Sequence, residues 1–247
     1  MKRARTERPE NFEVDLSHPL MRGAVLLGLG QAHHSLRYRD ESGYAKHGTL
    51  FGSTPAGRWG RALGRASLGF AGTPDYVRVP CFDVIGTVAM WLRPVSGTNG
   101  FGCLLDARNN GDSGTGYIFW NTDTTLLKSS GTTYVNGKLA SLVPASVWSL
   151  LVVTGFTLVS GMNPKEFVVG THSNYTNHLL TGAIEDYMIW SRILSPAEIM
   201  QLADPSNVML SGAIREPRPR RSFVGQVAAK PWLYAHRRSS RVIGVGI

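Results

Sequence analysis

Cysteine is nearly absent from this 247-residue chain, which has two, Cys81 and Cys103. Two cysteines cannot build the disulfide framework of a small secreted scaffold or a four-cysteine zinc site. Long apolar runs are missing as well. The longest, Val147 to Val159, is interrupted by Ser149, Thr154, Gly155 and Thr157, too short and too broken to cross a bilayer as a helix. After Met1-Lys2-Arg3 come Thr6, Glu7, Arg8 and Pro9, where an export signal needs an apolar stretch of about 7–15 residues. No signal peptide, no membrane partner and synthesis in a cytoplasm are therefore expected. No segment repeats with a period of about 20–50 residues, which argues against a solenoid or propeller.

The body of the chain also lacks an excess charge, although the whole carries +9. Residues 1–10 hold Lys2, Arg3, Arg5 and Arg8 against Glu7 and Glu10, and residues 211–247 hold eight basic side chains against Glu216. The 200 residues between hold fourteen of each sign. Basicity would ordinarily suggest nucleic acid. Here it belongs to the ends of a neutral body.

What is present reads as β-structure. Short alternating or β-branched runs occur at Tyr76–Val79, Thr87–Leu92, Tyr117–Trp120, Trp148–Thr154, Phe167–Val169 and Ile184–Trp190, the pattern of half-buried strands. Gly- and Asn-rich clusters at 96–100, 109–114 and 162–164 punctuate them. Asn136-Gly137 tolerates positive φ at both positions and predicts a two-residue hairpin turn. One helix is predicted: Ser195-Pro196-Ala197-Glu198 forms a capping box with proline at the first helical position, and Asp204-Pro205 ends the helix. Many short strands, glycine-rich turns and one helix predict an all-β fold: a two-sheet antiparallel jelly-roll sandwich, the helix covering an open end. Phe70, Tyr76, Val77, Val79, Met90, Leu92, Ile184 and Ile189 are the expected inner-face residues. The expected organisation is an N-terminal extension (1–21), the sandwich (22–210) and a basic C-terminal arm (211–247).

Three segments in order carry a resemblance. Asp40-Glu41-Ser42-Gly43 leads to His47-Gly48-Thr49-Leu50. Leu68-Gly69-Phe70 is followed by Asp75-Tyr76-Val77 and Val88-Ala89-Met90-Trp91-Leu92. Thr181-Gly182-Ala183-Ile184-Glu185-Asp186 runs on to Trp190-Ser191-Arg192 and the capped helix. The set resembles the laminin-G-like, concanavalin A-like lectin and glucanase superfamily across about residues 22–204. Ser17–Gly23 and the Arg-rich tail resemble the stand-alone version of this domain carried by tailed phages. The resemblance implies one structural calcium on Asp75 and Asp186, although Leu27-Gly28-Leu29-Gly30 stands where relatives often have an acid.

Several chemistries are excluded on the residues. The superfamily's glycosidases carry Glu-x-Asp-x-Glu on one strand, and that signature is absent. Glu185 and Asp186 are adjacent, so regular alternation would point them to opposite faces. Gly111-Asp112-Ser113-Gly114 lacks a histidine segment to serve it as a nucleophile loop. Asp106–Tyr117 lacks EF-hand oxygen donors. The histidines have no metal-ligand spacing with the cysteines. The expectation is therefore a chain that is not an enzyme. A glycan groove wants aromatics beside Asn or Asp on loops, which nominates Trp120, Asn121, Asp123, Asn174 and Tyr175.

The leading functional expectation is a virion structural protein (capsid decoration, fibre or tail-associated). Its arm residues Arg218, Arg220, Arg221, Phe223, Trp232, Tyr234, Arg237 and Arg238 would dock on other copies of itself and on other virion proteins. A carbohydrate-binding module is the alternative. Nucleic-acid contact through the tail is the third reading.

Overall fold

A computed structural model describes residues 13–14, 17–28, 37–52, 59–62, 65–80, 82, 84–108, 115–158, 166–172, 174–204 and 214–215. In chain order the strands are β1 (Glu13–Val14), β2 (Ala24–Gly28), β3 (Arg37–Tyr38), β4 (Gly48–Phe51), β5 (Trp59–Ala62), β6 (Arg65–Ala71), β7 (Tyr76–Pro80), β8 (Thr87–Gly97) and β9 (Phe101–Asp106). They continue as β10 (Tyr117–Asn121), β11 (Leu126–Lys128), β12 (Thr132–Val135), β13 (Lys138–Leu139), β14 (Ser149–Thr154), β15 (Glu166–Val169), β16 (Leu180–Trp190) and β17 (Ile214–Arg215). Helix α1 spans Pro196–Ala203.

Two antiparallel sheets make the sandwich. One has the order β11-β10-β9-β15-β7-β4-β3; the other is β13-β12-β14-β8-β16-β6-β5, with β2 also on β16. Long β16 serves two partners on one edge, pairing residues 181–184 with β6 and residues 187–190 with β2. The Asn136-Gly137 turn joins β12 to β13 with φ +52° and +80° as the hairpin requires.

Period-two alternation sorts the side chains into two cores. Val88, Met90 and Leu92 of β8, with Leu151 and Val153 of β14 and Ile184 and Ile189 of β16, face Val77, Val79, Leu104, Trp120 and Phe167 across the sandwich. The intervening residues Ala89, Leu150, Val152, Met188 and Trp190 point the other way, and a second buried cluster joins them to Leu20, Met21, Ile199 and Leu202. Helix α1 therefore lies on the outer face of the eight-stranded sheet and does not plug an end of the sandwich as expected. Its amphipathic stripe needs an apolar surface, and β8, β14 and β16 supply one. The capping box forms as predicted. The Arg192 guanidinium donates to both Glu198 oxygens (2.6 and 3.0 Å) and to the Arg22 carbonyl (2.6 Å), and it holds the Glu198 carboxyl down to about 2.

One inner-face expectation is corrected. Tyr76 and Val77 are neighbours on β7 and cannot both face inward. Val77 and Val79 take the core, so Tyr76, Arg78 and Pro80 fall on the outer face.

Candidate functional site

The outer face of the seven-stranded sheet carries the chemistry. The pairing register sets Arg37, Thr49, Arg78, Val168, Asp106 and Tyr117 in one row across β3, β4, β7, β15, β9 and β10. One step along, Phe51 opposes Tyr76 and stacks on it, with centroids 5.1 Å apart and planes 13° apart. Tyr175, from the loop between β15 and β16, stacks on Tyr76 in turn (4.9 Å, 29°). The Arg78 guanidinium lies over this trio, 4.8 Å from the Phe51 ring and 4.6 Å from the Tyr175 ring. Glu166 completes the group, accepting from the Tyr175 hydroxyl at 2.9 Å and facing Arg78 Nε at 3.3 Å. Burial, and then the Glu166 carboxylate, push the Tyr175 phenol up, so it stays a donor at neutral pH. Beside these residues opens a cavity of about 200 Å³ lined by His47, Thr49, Phe51, Arg78, Pro80 and Glu166.

The Asp40–His47 turn contributes His47 to the lining of that cavity. The buried Asp40 carboxylate accepts from the backbone N–H of Leu27 (3.0 Å), Ser42 (2.9 Å) and Lys46 (2.9 Å) and from the Ser42 hydroxyl (2.8 Å). The Asp40 N–H donates to His47 Nδ1 at 3.0 Å. His47 is thus fixed with Nδ1 as acceptor, and the neutral ring carries its proton on Nε2. Burial, then the Arg37 charge, lowers its pKa. Gly48 follows because β7 presses close: a Cβ there would sit 2.7 Å from Val77 Cγ1.

Farther along the same face, the β15–β16 loop covers a second group. Arg108 grips the buried Asp106 with two bonds of 2.9 Å, and its guanidinium lies 4.4 Å from the Tyr117 ring. His172 Nε2 is 3.7 Å from Asp106 Oδ2. His172 and His178 both contact the Phe119 ring. Burial is the largest cause lowering both imidazoles, with Asp106 opposing it at His172 and the neighbouring His172 and Arg108 adding to it at His178. Tyr175 and His178 take φ +64° and +52° in this loop. Each such residue costs about 1–2 kcal/mol, which the ring contacts offset.

The predicted glycan residues separate. Trp120 is fully buried and its indole donates to the Val143 carbonyl at 2.9 Å, so its ring is closed to any ligand. Asp123 caps its own turn through Thr125 (2.8 and 2.5 Å), and Asn121 N–H donates to Thr125 O (2.8 Å) in the same turn. Asn174 Oδ1 accepts from the backbone of Thr176 and Asn177, shaping the loop that carries Tyr175. Tyr175 alone of the five stands in the candidate site. Asp75 is buried, accepts from the Thr73 hydroxyl, and lies under Gly52, where a Cβ would fall 2.0 Å from its Oδ1. Asp186 is buried in a β16 bulge at φ +51°. Among the described residues no group of three His, Cys, Asp or Glu is placed to hold a metal. Gly28, within the Leu27-Gly28-Leu29-Gly30 segment that carries no acid, has room for no side chain at all, because a Cβ would meet Tyr38 Cε1 at 2.0 Å. These donors do not fit the expected calcium. Cys103 is a buried free thiol whose pKa burial raises. Cys81, His33, His34, the 109–114 and 162–164 turns and all eight arm residues lie outside the described residues.

Sequence reasoning missed Phe51, Arg78 and Glu166. Arg78 flanked by Tyr76 and Pro80 signals an outward face on β7. Nothing local joins it to Glu166, 88 positions on.

No protein-family model matches the chain, and no curated protein sequence matches it. Solved structures do. Domain 4 of AbnA, a GH43 extracellular arabinanase from Geobacillus stearothermophilus solved in complex with arabinotriose, superposes with a TM-score of 0.52 at 16% identity, covering 73% of this chain and 98% of that domain. A Trypanosoma rangeli sialidase superposes with a TM-score of 0.52 at 12% identity over 77% of this chain, which spans 34% of the sialidase. The shared feature is an all-β sandwich. The expectation of a chain outside the enzymes is corrected by this finding, because the same sandwich occurs within an arabinanase and a sialidase. At 12–16% identity the likeness establishes the fold and transfers no catalytic residue.

Proposed function

We propose that this chain is a carbohydrate-binding module whose ligand lies on the outer face of the seven-stranded sheet, against Tyr175. The observation that carries the reading is the stacked trio Phe51–Tyr76–Tyr175 with Arg78 and Glu166 at the lip of one cavity. A sugar ring offers an apolar C–H face to aromatic rings and a rim of hydroxyls to charged donors and acceptors, and this site supplies both. At about 200 Å³ the cavity is smaller than the roughly 300–1,000 Å³ of drug-sized pockets, which suits one sugar or the end of a glycan. The arabinotriose complex of a domain with this fold supports the ligand class. A glycan array with wild type, Tyr175→Ala and Phe51→Ala tests it. Binding by wild type that both variants lose is expected, and a wild type that binds no saccharide overturns the reading.

We also infer that the chain is a virion component, made in the host cytoplasm and held by its ends. The support is the confinement of net charge to the ends and the antiparallel pairing of Glu13–Val14 with Ile214–Arg215, one short segment from each extension. Removing residues 218–247 spares that pairing and should lower oligomer size and particle incorporation. If both are unchanged, the arm reading fails.

A further inference from the structure

We propose that the cavity takes an acidic saccharide, its carboxylate gripped by the outer fork of Arg78; this rests on the carbohydrate reading and names the ligand class. A guanidinium has two faces and five N–H groups, and those of Arg78 are unequally used. Phe51 and Tyr175 occupy its face at 4.8 and 4.6 Å. Its Nε is turned to Glu166 at 3.3 Å. Among the described residues neither Nη has a hydrogen-bond acceptor. What remains is a rigid, pre-oriented pair of donors at the cavity lip, the arrangement that matches a carboxylate with two parallel bonds. Stacking matters here because it removes the rotamer freedom that a surface arginine would lose on binding.

The surroundings favour the same sign of ligand. Arg37 stands one strand beyond Thr49 from Arg78, so the two backbones are about 10 Å apart at ~4.8 Å per strand. The acids nearby are engaged. The Asp40 carboxylate is spent on three backbone N–H groups and a hydroxyl, and Glu41 pairs with Arg39 at 2.8 Å. Glu166 is the one carboxylate lining the cavity among the described residues. It lies on the Nε side, so a ligand carboxylate enters at the opposite end of the guanidinium. Glu166 Oε1 already accepts from Tyr175, which leaves Oε2 for a sugar hydroxyl.

The test is calorimetric titration of the full chain with matched pairs: an oligogalacturonate against its carboxyl-reduced form, and 3′-sialyllactose against lactose. Within at least one pair the acidic member should bind about tenfold or more tighter, the scale of one charge-assisted contact, and the preference should shrink with added salt. Arg78→Lys, which keeps the charge and the stem, should lose most of that preference, and so should Arg78→Gln. Glu166→Gln should keep or strengthen acidic binding while weakening neutral binding. Equal binding within both pairs, or a preference unaltered in both Arg78 variants, overturns the acidic-ligand proposal while the carbohydrate reading stands. Binding of no saccharide in either pair overturns both.

Discussion

Replacing Asp40 by alanine removes the acceptor for three backbone N–H groups at once, those of Leu27, Ser42 and Lys46. Leu27 is fully buried, so its N–H finds no water. A buried donor left unmet costs about 1–3 kcal/mol, and bonds to a charged acceptor sit in the upper half of that range. Ser42 and Lys46 lie in a turn that solvent reaches on relaxation, so their share is smaller. The total for Asp40→Ala is about 4 kcal/mol. Asp40→Asn keeps Oδ1, which serves the Leu27 and Ser42 N–H groups, and turns an amide NH₂ toward the Lys46 N–H and the Ser42 hydroxyl, of which the hydroxyl can rotate to accept. Its cost is about 1–2 kcal/mol. Urea denaturation of wild type and both variants, at constant m-value, reads these differences directly. An alanine variant within about 1 kcal/mol of wild type, or an asparagine variant as unstable as alanine, refutes the account of this turn. The His47 contact is made by the Asp40 backbone N–H, which both variants keep, so ligand binding at the cavity should fall only as far as the turn itself shifts, more in the alanine variant than in the asparagine variant.

At Gly28 a Cβ would meet Tyr38 Cε1 at 2.0 Å, and the Tyr38 hydroxyl donates to the Gly28 carbonyl at 3.0 Å. Gly28→Ala should therefore cost about 2–3 kcal/mol in thermal or urea unfolding; tolerance within about 0.5 kcal/mol would show the contact is not tight. His172 and His178 both have lowered pKa values, so the unfolded chain takes up protons first as pH falls. Their contribution is whole above about pH 6.5, is lost as pH drops from there through the folded-state values, and should appear as a falling urea midpoint that the double variant His172→Gln/His178→Gln flattens. A wild-type decline between pH 7 and 5 unaltered in the double variant removes these histidines as its cause.

The sequence shows local features and conceals those that depend on distant pairing. The capping box Ser195–Glu198, the Asn136-Gly137 hairpin and the runs at β7, β8, β10, β14, β15 and β16 are short-range signals, and each stands where it was expected. Trp120 beside Asn121 and Asp123 looks like a loop binding residue by adjacency. It is an inward-facing strand residue because Phe119, one position earlier, takes the outer face. Tyr175 was legible as an aromatic among asparagines, yet its partners come from β4, β7 and β15. Only the strand order β15-β7-β4 makes Glu166, Arg78 and Phe51 neighbours.

That strand order also decides which surface is left for a ligand. A two-sheet sandwich has two outer faces, and each strand splits its side chains between core and exterior. On the eight-stranded sheet the exterior set is apolar: Ala89, Leu150, Val152, Met188 and Trp190. Left open it would be a liability, and α1 with the Pro19–Met21 turn buries it. On the seven-stranded sheet the exterior set around the cavity is Thr49, Phe51, Tyr76, Arg78 and Glu166, aromatic and polar, and none of the five is buried. Among the described residues no helix packs on it, because this mixture gives an amphipathic stripe little that is apolar to bury. The β15–β16 loop covers the β9–β10 end and stops at Tyr175, leaving the cavity beside it open. One face is closed by hydrophobic necessity and the other is kept polar at the cost of two left-handed residues in its loop. The proposed carbohydrate site uses the face that is left open.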